Sequence, residues 1–194
     1  MTGGHVGAFA VPDWTDPARR AALWEDLRAS LDRLAGRAGE AGLDGILVEN
    51  LAAAREPSTI AQLRELTADD GPGRAAIRPC LDVGHQCVPG TTGEGRDPYA
   101  WLRALGAVSP VVQLQQSDAE GDHHWPFTPG RNAVGRITAD AVLDALEAGG
   151  TRQTALVLEI IPPFEQDDDE VLADLEASVG HWREALLRRG LRAD

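Results

Sequence analysis

The sequence predicts an α/β protein, specifically a single-domain, partial (β/α) TIM barrel that spans residues 1–194. Short apolar runs alternate with amphipathic segments, and no long linker separates them, which is typical of strands and helices that alternate around a parallel sheet. Four of the apolar runs end in side chains that can bind a metal, at Glu49, Asp82, Gln113 and Glu159. Because catalytic groups in such barrels lie at the carboxyl ends of the strands, this placement predicts one shared site.

Five strands are predicted, over residues 5–11, 45–49, 77–83, 111–115 and 155–160. Each is followed by a helical pattern. The first helix starts after a Pro-rich turn at residues 12–17 and repeats leucine at helical spacing, at Leu23, Leu27, Leu31 and Leu34. Further helices are predicted over residues 60–66, 97–105, 139–147 and 167–190. The last begins with acidic residues and ends with basic ones, which complements the helix dipole.

Five strand-and-helix units are fewer than the eight of a complete barrel, so three strands are expected to have no sequence in this chain. The wide interval before the last strand is explained by an extra loop at residues 118–136. An interrupted barrel exposes strand edges, which favours pairing with a second copy of the chain. A start codon chosen downstream of the true one and a real truncation both remain open.

Composition and charge exclude several classes of protein. The chain is 43% hydrophobic and 25% charged, which is ordinary for a globular domain. Its 31 acidic and 18 basic residues give a net charge of −13, which argues against a nucleic-acid partner. No apolar run reaches the roughly 20 residues that cross a membrane, and the N-terminus has no signal-peptide layout, so a cytoplasmic location is expected. Cys80 and Cys87 are the only cysteines and are expected to be free thiols.

Five short motifs carry a resemblance to a known family: Gly3-Gly4-His5-Val6-Gly7, Val48-Glu49-Asn50, Asp82-Val83-Gly84-His85, Gln113-Leu114-Gln115-Gln116-Ser117-Asp118 and Leu158-Glu159. The chain resembles the xylose isomerase-like barrel family of sugar isomerases and epimerases, from about strand four to strand eight. It is most similar to the tagatose/psicose 3-epimerase branch and the related erythrulose-phosphate epimerases. The loop at residues 115–128 looks like that of the four-carbon sugar-phosphate members.

The resemblance implies a divalent ion, Mn, Mg or Co, held by Glu49, Asp82, Gln113 and Glu159. It also implies that Glu49 and Glu159 are the catalytic acid/base pair, on opposite faces of a sugar or sugar phosphate. General chemistry agrees, because a metal that polarises a carbonyl makes the neighbouring C–H proton removable by a base. The residues expected to contact the substrate are His5, His85, Gln115, Asp118, His124 and Trp125.

Two positions depart from the family pattern. Gln113 stands where the family has a histidine ligand, so the predicted set is all oxygen, which favours Mg or Mn over Zn or Co, or else marks a weakened site. Ala119 stands where the epimerase branch has an arginine, so the substrate must be anchored differently, through His123 or His124. Gln115 and Gln116 alternate along a strand, so only one of them can face the barrel interior.

Structural explanations compete with these functional ones. Glu49 and Glu159 could each pair with an arginine in the barrel mouth, and Trp125 could pack the loop or a subunit contact. The acidic run at residues 167–170 is most simply a solvated helix start. At the level of function, the alternatives to an epimerase are a non-catalytic remnant or assembly subunit, and a phosphodiesterase of the endonuclease-IV type. The acidic surface and the few histidines disfavour the phosphodiesterase.

Overall fold

The computed structural model describes residues 16–51, 57–68, 71–88, 93–118 and 120–192. Four strands form one parallel sheet in sequence order, which confirms the predicted α/β fold. The strands are β1 (Gly45–Glu49), β2 (Ala76–Asp82), β3 (Val111–Leu114) and β4 (Ala155–Leu158). Their register pairs Glu49 with Cys80 and Asp82 with Gln113. The strand predicted at residues 5–11, with His5, lies outside the described residues.

Helices connect the strands as the sequence pattern predicts. They are α1 (Pro17–Glu40), α2 (Ile60–Leu66), α3 (Pro98–Leu105), α4 (Pro129–Val134), α5 (Ala139–Ala148) and α6 (Asp168–Arg188). Side chains cap the helix starts: Asp16 accepts from the backbone of α1, Thr59 and Gln62 form a capping box, and Asp167 caps α6. The acidic run is therefore a helix N-terminus. Helix α4 was not predicted and lies within the extra loop.

The hydrophobic core lies between the helices and the outer face of the sheet. The sheet contributes apolar side chains that point away from the barrel axis, namely Val48, Ile77, Leu81, Val112 and Leu114. The helices contribute Leu31, Leu63, Leu102, Val142 and Leu146. Trp101 and Trp182 are 1% and 4% exposed and belong to this core. Burial of this apolar surface is the main force that fixes the sheet.

Polar residues dominate the carboxyl ends of the strands. After β3 the chain folds back on itself through an antiparallel bridge between Gln116 and Trp125, with hydrogen bonds of 2.9 and 3.1 Å. The bridge turns the intervening loop toward the ends of β1 and β2. Cys80 and Cys87 are both free, as predicted. Among the described helices, none is both long and apolar enough to cross a bilayer.

Candidate active site

Three carboxylates meet at the carboxyl ends of the strands. Glu49 ends β1, Asp82 ends β2, and Glu159 follows β4, where its backbone N–H donates to Leu114 O at 2.9 Å and extends the ladder. Glu159 lies close enough to Asp82 and Glu49 for the negative charges of both to raise its pKa. The structure therefore brings together three of the four residues predicted to bind a metal.

Asp82 is the most firmly held of the three. Its side chain is completely buried, and Oδ1 accepts hydrogen bonds from the backbone N–H groups of Gly84 at 2.7 Å and His85 at 2.8 Å. Asn50 clamps the backbone of Asp82 on both sides, because its amide donates to Asp82 O at 2.9 Å and accepts from Asp82 N at 2.8 Å. A carboxylate fixed in this way presents its oxygens in one orientation.

Burial and mutual repulsion change the acidity of the two glutamates. Burial, together with the negative charges of Asp82 and Glu49, raises the pKa of Glu159 to about 7. Burial also raises the pKa of Glu49, although the neighbouring His85 works against the rise. A carboxyl group whose pKa lies near neutrality can both take up and release a proton at physiological pH, which is the property of a general acid/base.

Two histidines flank a fourth carboxylate beside this group. His85 Nε2 lies 3.3 Å from Asp122 Oδ2, and His124 Nε2 lies 3.4 Å from Asp122 Oδ1. Burial alone would lower the pKa of His85, but the hydrogen bond to Asp122 and the charges of Asp82 and Asp122 raise it to about 10. Both imidazoles in turn hold the pKa of Asp122 far below its usual value, against the effect of its burial. His85, Asp122 and His124 are together a group of residues that could hold a metal ion.

The two glutamines of β3 are placed at different depths. Gln113 Oε1 accepts from Cys80 Sγ at 3.0 Å, one strand step below the carboxylates. Gln115, two residues later on the same face, donates through Nε2 to Asp82 at 3.2 and 3.3 Å and to Asp122 at 2.9 Å. Gln113 as a metal ligand stays a prediction, but the glutamine that contacts the carboxylates in this structure is Gln115.

Gln115 and Gln116 do face opposite ways, as the strand period requires. Gln116 points away from the carboxylates and bonds to Asn132 Oδ1 at 2.9 Å and Ile137 O at 2.8 Å. The site in turn needs a glycine at position 84, because a methyl group there would overlap the side chain of Gln115. Tight packing of the glycine against this amide fixes where Gln115 sits.

The remaining predicted contact residues that the structure describes, Asp118 and Trp125, lie on the loop after β3. Asp118 Oδ1 lies 2.8 Å from His123 Nε2, and the His123 ring stacks on Trp125 with centroids 4.0 Å apart. The guanidinium of Arg131 lies 4.1 Å from the ring centroid of Trp125 on this same loop. Phe127, by contrast, is buried in the core. The loop thus combines packing and polar residues.

Sequence reasoning missed Asp122 and Asn50. Asp122 lies in a loop that has no periodic pattern, and only its place in the run Asp122-His123-His124 signals a polar cluster. Asn50 directly follows a predicted strand-end glutamate, but nothing in the sequence shows that it would clamp the neighbouring strand. Asn50 contacts Asp82, which is 32 positions away, and Asp122 contacts His85 across the site and His124 within its own loop. Only the folded chain reveals these contacts.

Known proteins share this fold. D-erythrulose 1-phosphate 3-epimerase of Brucella abortus (strain 2308) is 33% identical over 187 residues, which is 93% of this chain and 59% of that protein. A structure from Rhodospirillum rubrum, provisionally described as a xylose isomerase, matches with 30% identity and a TM-score of 0.79 over 92% of this chain and 60% of that one. A D-tagatose 3-epimerase-like protein has the same fold, with 17% identity and a TM-score of 0.66 over 90% of this chain and 58% of that chain. No protein-family model matches the chain.

Fold and site together define a (β/α) barrel protein with a carboxylate-rich centre at its strand ends. The chain is similar to xylose isomerase-like barrel proteins over more than nine-tenths of its own length, which is the resemblance that the sequence motifs predicted. It spans about 60% of the length of the relatives it matches, so the sheet described above corresponds to part of their barrel.

Proposed function

We propose that this chain carries the acid/base and metal-binding half of a divalent-metal-dependent epimerase that acts on a sugar or sugar phosphate. The observation that carries the proposal is the convergence of Glu49, Asp82 and Glu159 at the ends of three parallel strands. Burial holds the pKa of Glu159 near neutrality, which suits a residue that must both accept and return a proton. Structural relatives with this fold include several sugar epimerases.

The donor set fits a divalent cation such as Mg²⁺ or Mn²⁺. Glu49, Asp82 and Glu159 offer carboxylate oxygens, and the amide oxygen of Gln113, the fourth predicted ligand, would complete an all-oxygen set of the kind that these ions prefer. Glu159 Oε2 is buried and has no hydrogen-bond partner among the described residues. A cation would satisfy this oxygen and offset the repulsion among three carboxylates. When bound, the ion would polarise the carbonyl of a ketose and stabilise the negative charge that forms there.

The protein residues would then move one proton at the carbon next to the carbonyl. Glu49 and Glu159 come from β1 and β4, the two outer strands of the described sheet, so they approach a bound substrate from different sides. Removal of the proton by one glutamate and its return by the other inverts the configuration of that carbon. Gln115, which donates to Asp82, would hold a hydroxyl group so that the reacting carbon lies between the glutamates.

The name of the Brucella relative makes D-erythrulose 1-phosphate the first substrate to test. Its C3 proton lies next to the C2 carbonyl, where this mechanism acts. Ketoses without phosphate, such as D-tagatose, provide the comparison.

The test measures by NMR whether the C3 proton exchanges with solvent deuterium. The reaction runs in D₂O, and a chelator removes Mn²⁺ only afterwards, before the spectrum is recorded. We expect exchange with the 194-residue chain and its loss in Glu49→Gln and Glu159→Gln. Glu165→Gln, at an exposed loop position, is the matched control and should exchange like the unaltered chain. Exchange that persists unchanged in Glu159→Gln would refute the assignment of this residue as an acid/base group.

A further inference from the structure

Asp122 lies between two imidazole rings beside the carboxylate group. One side-chain ligand atom from each of His85, Asp122 and His124 lies within 4.8 Å of the other two. The three come from two parts of the chain: His85 from the turn after β2, and Asp122 and His124 from the loop after β3. A loop and a strand end have therefore been brought together around one carboxylate.

Both imidazoles are oriented by backbone carbonyl groups. His85 Nδ1 lies 2.7 Å from Asn50 O, and His124 Nδ1 lies 3.2 Å from Glu159 O. A carbonyl oxygen can only accept, so each Nδ1 carries the hydrogen and each Nε2 is the atom that faces Asp122. Histidines that bind metals are typically held in this way, with one ring nitrogen donating to a carbonyl and the other on the ion.

The backbone at His124 is also in an uncommon conformation. Its φ of 51° lies in the left-handed region, and His124 is the only non-glycine residue in the described parts of the chain for which this is so. Such a conformation costs free energy and persists where the surrounding structure requires it, often at functional sites. Here it holds the imidazole between Asp122 and Glu159 O.

Gln115 separates this group from the three strand-end carboxylates. Its Nε2 donates to Asp82 on one side and to Asp122 Oδ1, at 2.9 Å, on the other. Its Oε1 is occupied by the backbone N–H of His124 at 2.7 Å, so the amide nitrogen must face the carboxylates. A donor on one oxygen of Asp122 orients the second oxygen, as residues around a metal ligand commonly do.

We propose that His85 Nε2, His124 Nε2 and one oxygen of Asp122 form a second divalent-cation site, suited to Zn²⁺. Two imidazole nitrogens and one carboxylate oxygen suit zinc better than the all-oxygen set beside them, and three protein ligands leave a coordination position open toward the cup. This site goes beyond the proposed function and stands whether or not the chain is an epimerase.

Zinc binding to the 194-residue chain tests the proposal, with calorimetry for stoichiometry and affinity and with ¹⁵N NMR of labelled histidines for the atoms involved. We expect Asp122→Asn and His124→Gln each to weaken zinc binding at least tenfold. We also expect zinc to shift the Nε2 signals of His85 and His124 and to leave that of His123 in place. The control variant is His123→Gln, because His123 faces Asp118 instead.

Glu159→Gln separates this proposal from the proposed function. It should weaken Mn²⁺ binding and leave zinc affinity within about twofold of the unaltered chain. Thermal unfolding of each variant shows whether it is folded, and the near-isosteric Asp122→Asn keeps the test valid if His124→Gln unfolds. No zinc binding, or zinc binding that Asp122→Asn and His124→Gln leave unchanged, would overturn the second site.

Discussion

The two faces of the sheet differ in almost every physical respect. The outer face is apolar and covered by helices; Val112, for example, is completely buried there. The inner face carries Glu49, Asp82 and Glu159 at its carboxyl end, and lower down on β4 Val157 is 42% exposed. The outer face accounts for the stability of the described structure, because it buries the apolar surface. The inner face gathers charge at a free-energy cost, which points to a functional role.

The largest effect is expected at the inner face and should be on activity. Glu159→Gln removes a titratable group from the candidate site, and loss of a general acid/base typically costs about 100- to 10,000-fold in rate. We expect that loss in C3 proton exchange. The melting temperature should stay the same or rise, because the repulsion with Glu49 and Asp82 is relieved. A large fall in melting temperature would mean that Glu159 is a structural residue, and the contrast between the faces would fail.

Two valines, one on each face of the sheet, test the difference between the faces through the free energy of unfolding. Val112→Ala on the outer face removes about two methylene equivalents from the core and leaves a cavity, so we expect a loss of about 2 kcal/mol in the free energy of unfolding. Val157→Ala on the inner face should cost less than about 0.5 kcal/mol, as is usual for exposed positions. Urea unfolding curves of the two variants measure the difference, and equal losses would contradict it.

The reactivity of the two cysteine thiols reports on their surroundings. Burial, followed by the charges of Glu49 and Asp82, raises the pKa of Cys80 to about 12, and burial raises the pKa of Cys87 to about 11. The reactive thiolate is therefore scarce at pH 8, and both thiols should react with DTNB at least tenfold more slowly in the native chain than in urea. In a Cys87→Ala background, Glu49→Gln should accelerate the reaction of Cys80. No acceleration would mean that burial alone controls this thiol.

The smallest expected effect concerns a histidine on the helical side. His181 in α6 stacks on Phe127, with centroids 5.7 Å apart, and its burial and the nearby Arg188 lower its pKa. The unfolded chain therefore binds the proton more readily, so the stability contributed by neutral His181 is complete above about pH 6.5 and is lost as the pH falls. Between pH 7.5 and 5.5 the melting temperature should fall less in His181→Gln than in the unaltered chain. An equal fall would exclude this contribution.

Homo-oligomerisation, which exposed strand edges favour, stays a prediction. Several large apolar side chains near β4 and α6 are exposed, among them Ile161, Phe164 and Leu172. Sedimentation of the purified chain over a range of concentrations would measure self-association directly.

Much of the fold could be read from local patterns. Apolar runs of strand length, Pro and Gly at the turns, and capping residues such as Thr59 and Asp167 located the four described strands and the helices that connect them to within a few residues. These features depend on residues that are close together in the sequence, so they can be recognised from the sequence alone. Helix α4 was missed because it is short and follows a polar loop, where no apolar period marks it.

The sequence by itself determined that the chain alternates strands with helices and that Glu49, Asp82 and Glu159 end three of those strands. Only the tertiary structure decided which glutamine meets them. Gln113 and Gln115 share a face because side chains alternate along a strand, so the sequence offers both. The register pairs Gln113 with Asp82, but the Gln113 side chain bonds to Cys80 and it is the Gln115 side chain that reaches the Asp82 carboxylate. Asp122 entered the site for a similar reason, because a loop has no period and takes its position from long-range contacts that no local pattern encodes.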